Sequence, residues 1–472
     1  MNLCNRTFPT TYNLIRYFLS INLSTTFDLE IFVMLVLPPP KKTNRHNLTT
    51  DNETILCFSG QRALNYRYIS TKNDRHQKDD PMQFKSFIPP VRTLMGPGPS
   101  DVPPRILEAL SRPTIGHLDP QFIQLMDEVK ELLQYTFQTR NAMTMPVSAP
   151  GSAGMETCFA NLVEPGDKVI VCRNGVFGGR MVENVERCGG TAIIVDDEWG
   201  CAIDPSKLQL ALENNPDTCI VAMVHAETST GAQSDIAALV KLAHKYDCLT
   251  IVDAVTSLGG TPVKVDEWKI DAIYSGTQKC LSCTPGIAPV SFNEQALNKI
   301  RNRKTKVQSW FMDLNLVMGY WGEGTKRAYH HTAPVNALYA LHEALVILKN
   351  EGLENAWERH HKNHMALRAG LEAMGLKFVV NEADRLPQLN AVTIPQGVDD
   401  AAVRNRLLNE YNLEIGAGLG TLAGKVWRIG LMGHSSRKEN ILLCVGALES
   451  ILGDMGAKIN TGVALPAMQK AF

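Results

Sequence analysis

From about Met95 onward the chain alternates short runs rich in Val and Ile with amphipathic stretches of helical spacing, and that alternation restricts the fold more than any other feature. The runs at 168–172, 191–195, 219–224, 249–252 and Ala272–Tyr274 read as strands covered on both faces. Between them 178–187, 204–213 and 234–246 carry helical periodicity, and the second opens on an aspartate able to cap it. Strands joined by helices of this length pair in parallel, because only a crossover brings the chain back to the same end of the sheet. The reading is an α/β fold with a mainly parallel sheet, and ligands then belong at the carboxyl ends of its strands.

After residue 350 the texture changes. A long helical stretch at 353–374 is followed by a strand at 389–394, a helix near Asp400–Tyr411 and a strand at 425–430, which predicts a smaller α+β domain. With 472 residues and 44% hydrophobic side chains the chain can bury more than one core. The expected division is a large domain over 86–350, a small C-terminal domain over 351–460 and a tail over 461–472.

Residues 1–85 are of another kind, rich in Asn, Thr, Arg and Lys and interrupted by Pro38-Pro39-Pro40. They read as a poorly ordered extension. Acidic residues such as Asp28, Glu30, Asp51, Glu53, Asp79 and Asp80 argue against a transit peptide, and Met82 is a candidate biological start. The longest apolar run there, 31–37, falls far short of the ~20 residues that span a membrane. The formal charge of −1, from 47 Lys and Arg against 48 Asp and Glu, supplies no field for nucleic acid or an anionic membrane. Eleven cysteines scattered through apolar runs, without the density of a secreted scaffold, suit a reducing compartment, and the cytoplasm is the expected location.

Three local features carry chemistry. Lys279 ends Ser275-Gly-Thr-Gln-Lys279, directly after the apolar run at Ala272–Tyr274. An amine delivered into a turn of small residues is partly desolvated, loses its proton more readily and can attack a carbonyl. Asp253 closes the preceding run, where a carboxylate can hold a pyridine nitrogen protonated. Considered alone, a lysine in a loop is a solvated one, and the alternative for the aspartate is a helix cap; together they favour a cofactor site. The third feature, Ala149-Pro-Gly-Ser-Ala-Gly154, opens an amphipathic stretch whose first amides and Ser152 hydroxyl suit a phosphate.

With these residues in place, the sequence resembles the class V pyridoxal-phosphate aminotransferases, nearest the alanine:glyoxylate and serine:glyoxylate (or serine:pyruvate) enzymes, over most of 90–455. The likeness rests on Gly96-Pro-Gly-Pro-Ser100, Phe137-Gln-Thr-Arg-Asn141, Glu164-Pro-Gly-Asp167, His225-Ala-Glu-Thr-Ser-Thr-Gly231, Ile251-Val-Asp-Ala-Val-Thr-Ser-Leu-Gly259, Ser275-Gly-Thr-Gln-Lys279, Tyr329-His-His-Thr332 and Val426-Trp-Arg-Ile-Gly430, in that order. It implies a fold-type I transferase with a seven-stranded sheet, pyridoxal 5'-phosphate bound to Lys279 as a Schiff base, and transamination between alanine or serine and glyoxylate or a similar short oxo acid. It also implies a homodimer with shared active sites.

Carried over by residue, the resemblance implies that Lys279 shuttles a proton, Asp253 pairs with the ring nitrogen, Val255 packs on the ring and Thr228 bonds near the ring oxygen. Gly151, Ser152 and Gln278 would hold the phosphate, joined by Tyr329 and Thr332 of a neighbouring subunit. Arg428 would fork the substrate carboxylate, with Gly98 approaching the pocket through its backbone. Two positions depart from the pattern: Phe177 stands where relatives place tryptophan over the ring, and Pro150 where a small hydroxyl residue is common. No metal is expected. The lone Cys280-x-x-Cys283 lacks a second pair at metal spacing, His330 and His331 read as positional hydrogen-bonders, and His360, His361 and His364 read as a solvated helix face. The rival readings are a desulfurase-type lyase or an aminophosphonate transaminase on the same cofactor, and a catalytically silent scaffold.

Overall fold

The five apolar runs become adjacent strands of one seven-stranded sheet in the computed structural model, which describes residues 54–59, 62–67, 84–322 and 327–472. In chain order the strands are β1 (Met143–Val147), β2 (Lys168–Arg173), β3 (Thr191–Asp196), β4 (Thr218–Val224), β5 (Leu249–Asp253), β6 (Ala272–Tyr274) and β7 (Ala288–Phe292). Across the sheet they run β1-β7-β6-β5-β4-β2-β3. The five expected strands are mutually parallel; at one side β7 runs antiparallel to them, and β1, antiparallel to β7, runs in their direction. These last two escape a reading of the sequence because Pro146 and Pro289, which face each other across the pair, forgo ladder N–H groups and argue against a strand. β1 is the outermost strand, where the loss at Pro146 is tolerated.

The expected helices form as Val176–Arg187, Pro205–Asn214 and Ile236–His244. Asp204 does cap the second, accepting from Ser206 N at 2.8 Å. A core of fully buried side chains, among them Phe159, Val171, Ile220 and Ile273, lies between helices and sheet.

A second, separate core gathers Leu367, Leu371, Trp427, Ile429, Leu448 and Met468. It is built by the three-stranded antiparallel sheet of β8 (Leu389–Thr393), β9 (Gly416–Ala417) and β10 (Val426–Gly430), together with helices Leu353–Ala373, Asp400–Tyr411 and Lys438–Asp454. Met95 belongs to this core, and Thr93–Leu94 pairs in parallel with Leu413–Glu414, so the start of the region expected to be the large domain packs with the small one. The expected tail is corrected as well: Ala464–Ala471 is a helix that buries Ala464 and Met468 in the same core. Pro466 in its first turn, where no intrahelical N–H is required, hides it from a helix search.

Residues 1–89 form a separate unit. Within it Thr54–Ser59 and Arg62–Arg67 pair as an antiparallel hairpin; most of the extension read as poorly ordered, and the candidate start at Met82, lie outside the described residues. Among the described residues no helix is long and apolar enough to cross a membrane.

Candidate active site

Parallel register sets three strand ends level, because Asp253 is the partner of both Val224 on β4 and Tyr274 on β6. The turns that follow these strands therefore converge at one edge of the sheet. Lys279 arrives in the turn after β6 and is buried. Its amine donates to the carbonyl of Pro97. Gly98, at φ +106°, passes close to the same amine: a Cβ there would lie 2.7 Å from the lysine Nζ. Ser100 ties the same loop down, donating from N to Gln278 O at 2.9 Å and from Oγ to Lys279 O at 2.8 Å.

Burial, helped by the Arg428 charge and opposed by Cys280 and Asp253, holds the Lys279 ammonium down to about 8. An amine attacks only when unprotonated, and the free fraction rises with pH through the pKa. Capture of an aldehyde by the cofactor-free protein should therefore accelerate across a midpoint near pH 8. Stopped-flow absorbance against pH measures it, and a midpoint near that of free lysine would contradict the geometry.

Asp253 is buried at the end of β5. One oxygen accepts from Val255 N and the other from the Tyr274 hydroxyl, each at 2.8 Å. Neither partner is a cation, and burial pushes the carboxyl up to about 6 in spite of both bonds. Gly151 opens the helix Gly151–Leu162 and sits within a Cβ's reach of Val255 Cγ2 and Ser275 O, both at 3.5 Å. The first turn of this helix, whose leading amides have no partner within the helix, therefore begins beside the turn that leads to Lys279. Gln278 adds a buried side-chain oxygen without a partner, an unsatisfied group of the kind that marks a ligand's place.

Arg428 projects from β10 and is buried. Its Nε donates to Ala417 O at 2.7 Å and one Nη to Thr228 O at 3.1 Å. Both acceptors are neutral carbonyls, so the charge remains available. Burial lowers its pKa to about 10, against the pull of Glu227, and it stays cationic at neutral pH. Thr228 Oγ1 lies 2.5 Å from Thr256 Oγ1, which joins the turns after β4 and β5. Phe177 is half-buried in the first turn of Val176–Arg187, with the Arg180 guanidinium 4.8 Å over its ring.

The structure does not bring every expected residue to this cluster. Tyr329 and Thr332 are exposed, with hydroxyls 3.5 Å apart, and Tyr329 packs on His117. Between them His331 bonds Ser148 Oγ at 2.7 Å and His330 Nδ1 at 2.8 Å, as positional hydrogen-bonders do. The solvated face expected for His360, His361 and His364 is corrected: of the three histidines only His361 is exposed. His360 accepts from Gly433 N at 2.9 Å and His364 meets Asn390 Oδ1 at 2.7 Å, because this side of the helix faces the loops and strands of the second core rather than water. Sequence reasoning gave no role to Glu227, a fully buried carboxylate in the turn after β4. Its signal was available: an acidic residue among Thr and Ser directly after an apolar strand.

Residues 94–441 match the family model described as "Aminotransferase class-V". The (S)-ureidoglycine–glyoxylate transaminase of Bacillus subtilis is 40% identical over 401 residues, covering 81% of this chain and 96% of that protein. The alanine–glyoxylate aminotransferase of Rattus norvegicus is 40% identical over 365 residues, 77% of this chain and 88% of that one. Among solved structures, an alanine–glyoxylate aminotransferase from Nostoc sp. superposes with a TM-score of 0.77 at 46% identity, covering 79% of this chain and 98% of its own.

Proposed function

The chain belongs to the class V aminotransferases, and from that premise we propose that it transfers the amino group of alanine or serine to glyoxylate at the Lys279 cluster, using pyridoxal 5'-phosphate. The observation that carries the proposal is the convergence of a buried amine, a buried carboxylate and a buried guanidinium, Lys279, Asp253 and Arg428, at one sheet edge.

The residues present fit the cofactor. Asp253 is a buried carboxylate lacking a cationic hydrogen-bond partner, which a protonated ring nitrogen would supply. The first-turn amides of Gly151 and Ser152, with Gln278, offer a phosphate seat, and Val255 and Phe177 offer faces for the ring. When bound, the cofactor's ring takes up the electron pair left as the substrate α-carbon loses its proton. Lys279 would hold the cofactor, and its free amine, held down to about 8, would move that proton. Asp253 would keep the ring nitrogen protonated. Arg428 receives the substrate carboxylate on the edge of its fork not used by Thr228 and Ala417, which fixes the α-carbon near the amine.

The exposure of Tyr329, at 62%, supports a homodimer in which Tyr329 and Thr332 complete the phosphate seat of the second copy. The nine cysteines from Cys158 to Cys444 are free thiols, in keeping with a reducing cytoplasmic setting. A desulfurase reading needs a reactive thiolate; burial pushes Cys280 up to about 12 and Cys283 to about 11, so neither provides one at neutral pH. The Bacillus relative favours a second donor, (S)-ureidoglycine, on the same site.

The test is a donor screen with purified protein and pyridoxal phosphate. Alanine or serine with glyoxylate should yield glycine with ping-pong kinetics, and borohydride should fix the cofactor to the peptide holding Lys279. Glycine formed from (S)-ureidoglycine alone would replace the donor; a label absent from that peptide would remove the site.

A further inference from the structure

The helix Val176–Arg187 begins without a cap of its own. Gly175 occupies the capping position and has no side chain to offer, which leaves the first-turn amides in need of acceptors. Those acceptors come from a segment some fifty residues away. Ser229 Oγ accepts from Val176 N at 3.0 Å, and Glu227 Oε2 accepts from Phe177 N at 3.2 Å. The other carboxylate oxygen is held by Ser229, through its N–H at 3.0 Å and its hydroxyl at 2.6 Å. Three of these four bonds are donated to Glu227, and it stands at the positive end of the helix, so the arrangement suits a carboxylate ion. Close approach is built in: a Cβ on Gly175 would lie 2.4 Å from both Glu227 Cδ and Ser229 Oγ. Burial raises the Glu227 pKa and these donors oppose the rise.

We propose that Glu227 is a positioning residue for the reaction: from the turn after β4 it caps the helix that carries Phe177, and so sets Phe177 against the cofactor ring. The inference rests on the reading of Lys279 as the cofactor lysine. Its neighbour in sequence, Thr228, receives Arg428 at its carbonyl, so one short turn fixes the aromatic face and the substrate fork together. A cap drawn from the strand-end turn ties the helix to the cluster; a cap drawn from its own residue would leave the helix free to shift against Asp253.

The test uses full-length protein loaded with pyridoxal 5'-phosphate, in the wild type, Glu227→Gln, Phe177→Leu and the double variant. Cofactor Kd and visible circular dichroism per bound cofactor are measured. Glu227→Gln exchanges one acceptor oxygen for a donor opposite Phe177 N. It should weaken binding roughly 5- to 30-fold, the size of a lost cap, and reduce the dichroism. In the Phe177→Leu background the same change should cost less than about twofold, because the side chain being positioned is gone. Equal losses in both backgrounds, or unchanged affinity and dichroism in Glu227→Gln, would overturn the proposal. If Glu227→Gln does not fold, Ser229→Ala takes its place: a smaller loss that vanishes without Phe177 supports the proposal, and an additive one overturns it. A wild type that takes up no cofactor removes the reading of the site and this proposal with it, whereas normal loading with additive variants removes this proposal alone.

Discussion

A Lys279→Ala enzyme is expected to lose turnover by about 10²- to 10⁴-fold or more, the usual contribution of a positioned proton-transfer group, while keeping its fold. The amine's pKa, about 8, allows it both to take and to return a proton near neutral pH. Steady-state kcat with alanine and glyoxylate measures the loss, and near-normal turnover would overturn the assignment. The same substitution has a thermodynamic signature. The folded pKa lies below that of a free lysine, so the fold binds fewer protons than the unfolded chain between about pH 8 and 10.5. Below that window holding the ammonium in the site costs the wild type about 3 kcal/mol; above it the cost disappears. The cofactor-free wild type should therefore gain stability relative to Lys279→Ala as pH rises from 8 toward 10, a trend that paired thermal melts read directly.

Arg428→Ala should lower kcat/KM by roughly 30- to several thousand-fold, the range for removing one partner of a buried, hydrogen-bonded charge pair. The loss should fall mainly on KM for substrates with an α-carboxylate. Arg428→Lys should fail to restore it, because an ammonium cannot hold Ala417 O and Thr228 O and still present a fork. An amine without a carboxylate is the control: its conversion should be the same before and after the change. A parallel loss on that amine would mean that the guanidinium shapes the pocket rather than recognising the substrate.

Much of this site is visible in the chain alone because its chemistry is placed by local rules. Lys279 and Asp253 each follow a short apolar run, and a run of that kind ends at the edge of a parallel sheet, where ligands bind. The expected strand limits lie within a residue of those observed, as in 249–252 against Leu249–Asp253. Where the reading fails, two local rules conflict. Pro146 and Pro289 speak against strands, yet Pro146 lies on the outermost strand, where its missing N–H costs nothing, and Pro289, on the strand inside it, keeps its place in the ladder through its carbonyl, which accepts from Ser275 N at 2.8 Å. His360 and His364 lie in a charged stretch that reads as solvated, but loops and strands of the second core cover one side of that helix.

The sequence by itself determined the alternation of strand and helix, the placement of the amine and the carboxylate at strand ends, and membership of the family, since all three depend on neighbours along the chain. Only the tertiary structure decided that the Pro97 carbonyl meets the Lys279 amine, that Arg428 is anchored on Thr228 O, and that Glu227 caps a helix some fifty residues before it. Those contacts join groups separated by 50 to 200 residues. Hydrogen bonding and burial at such separations depend on which strands lie side by side, and no local pattern records that.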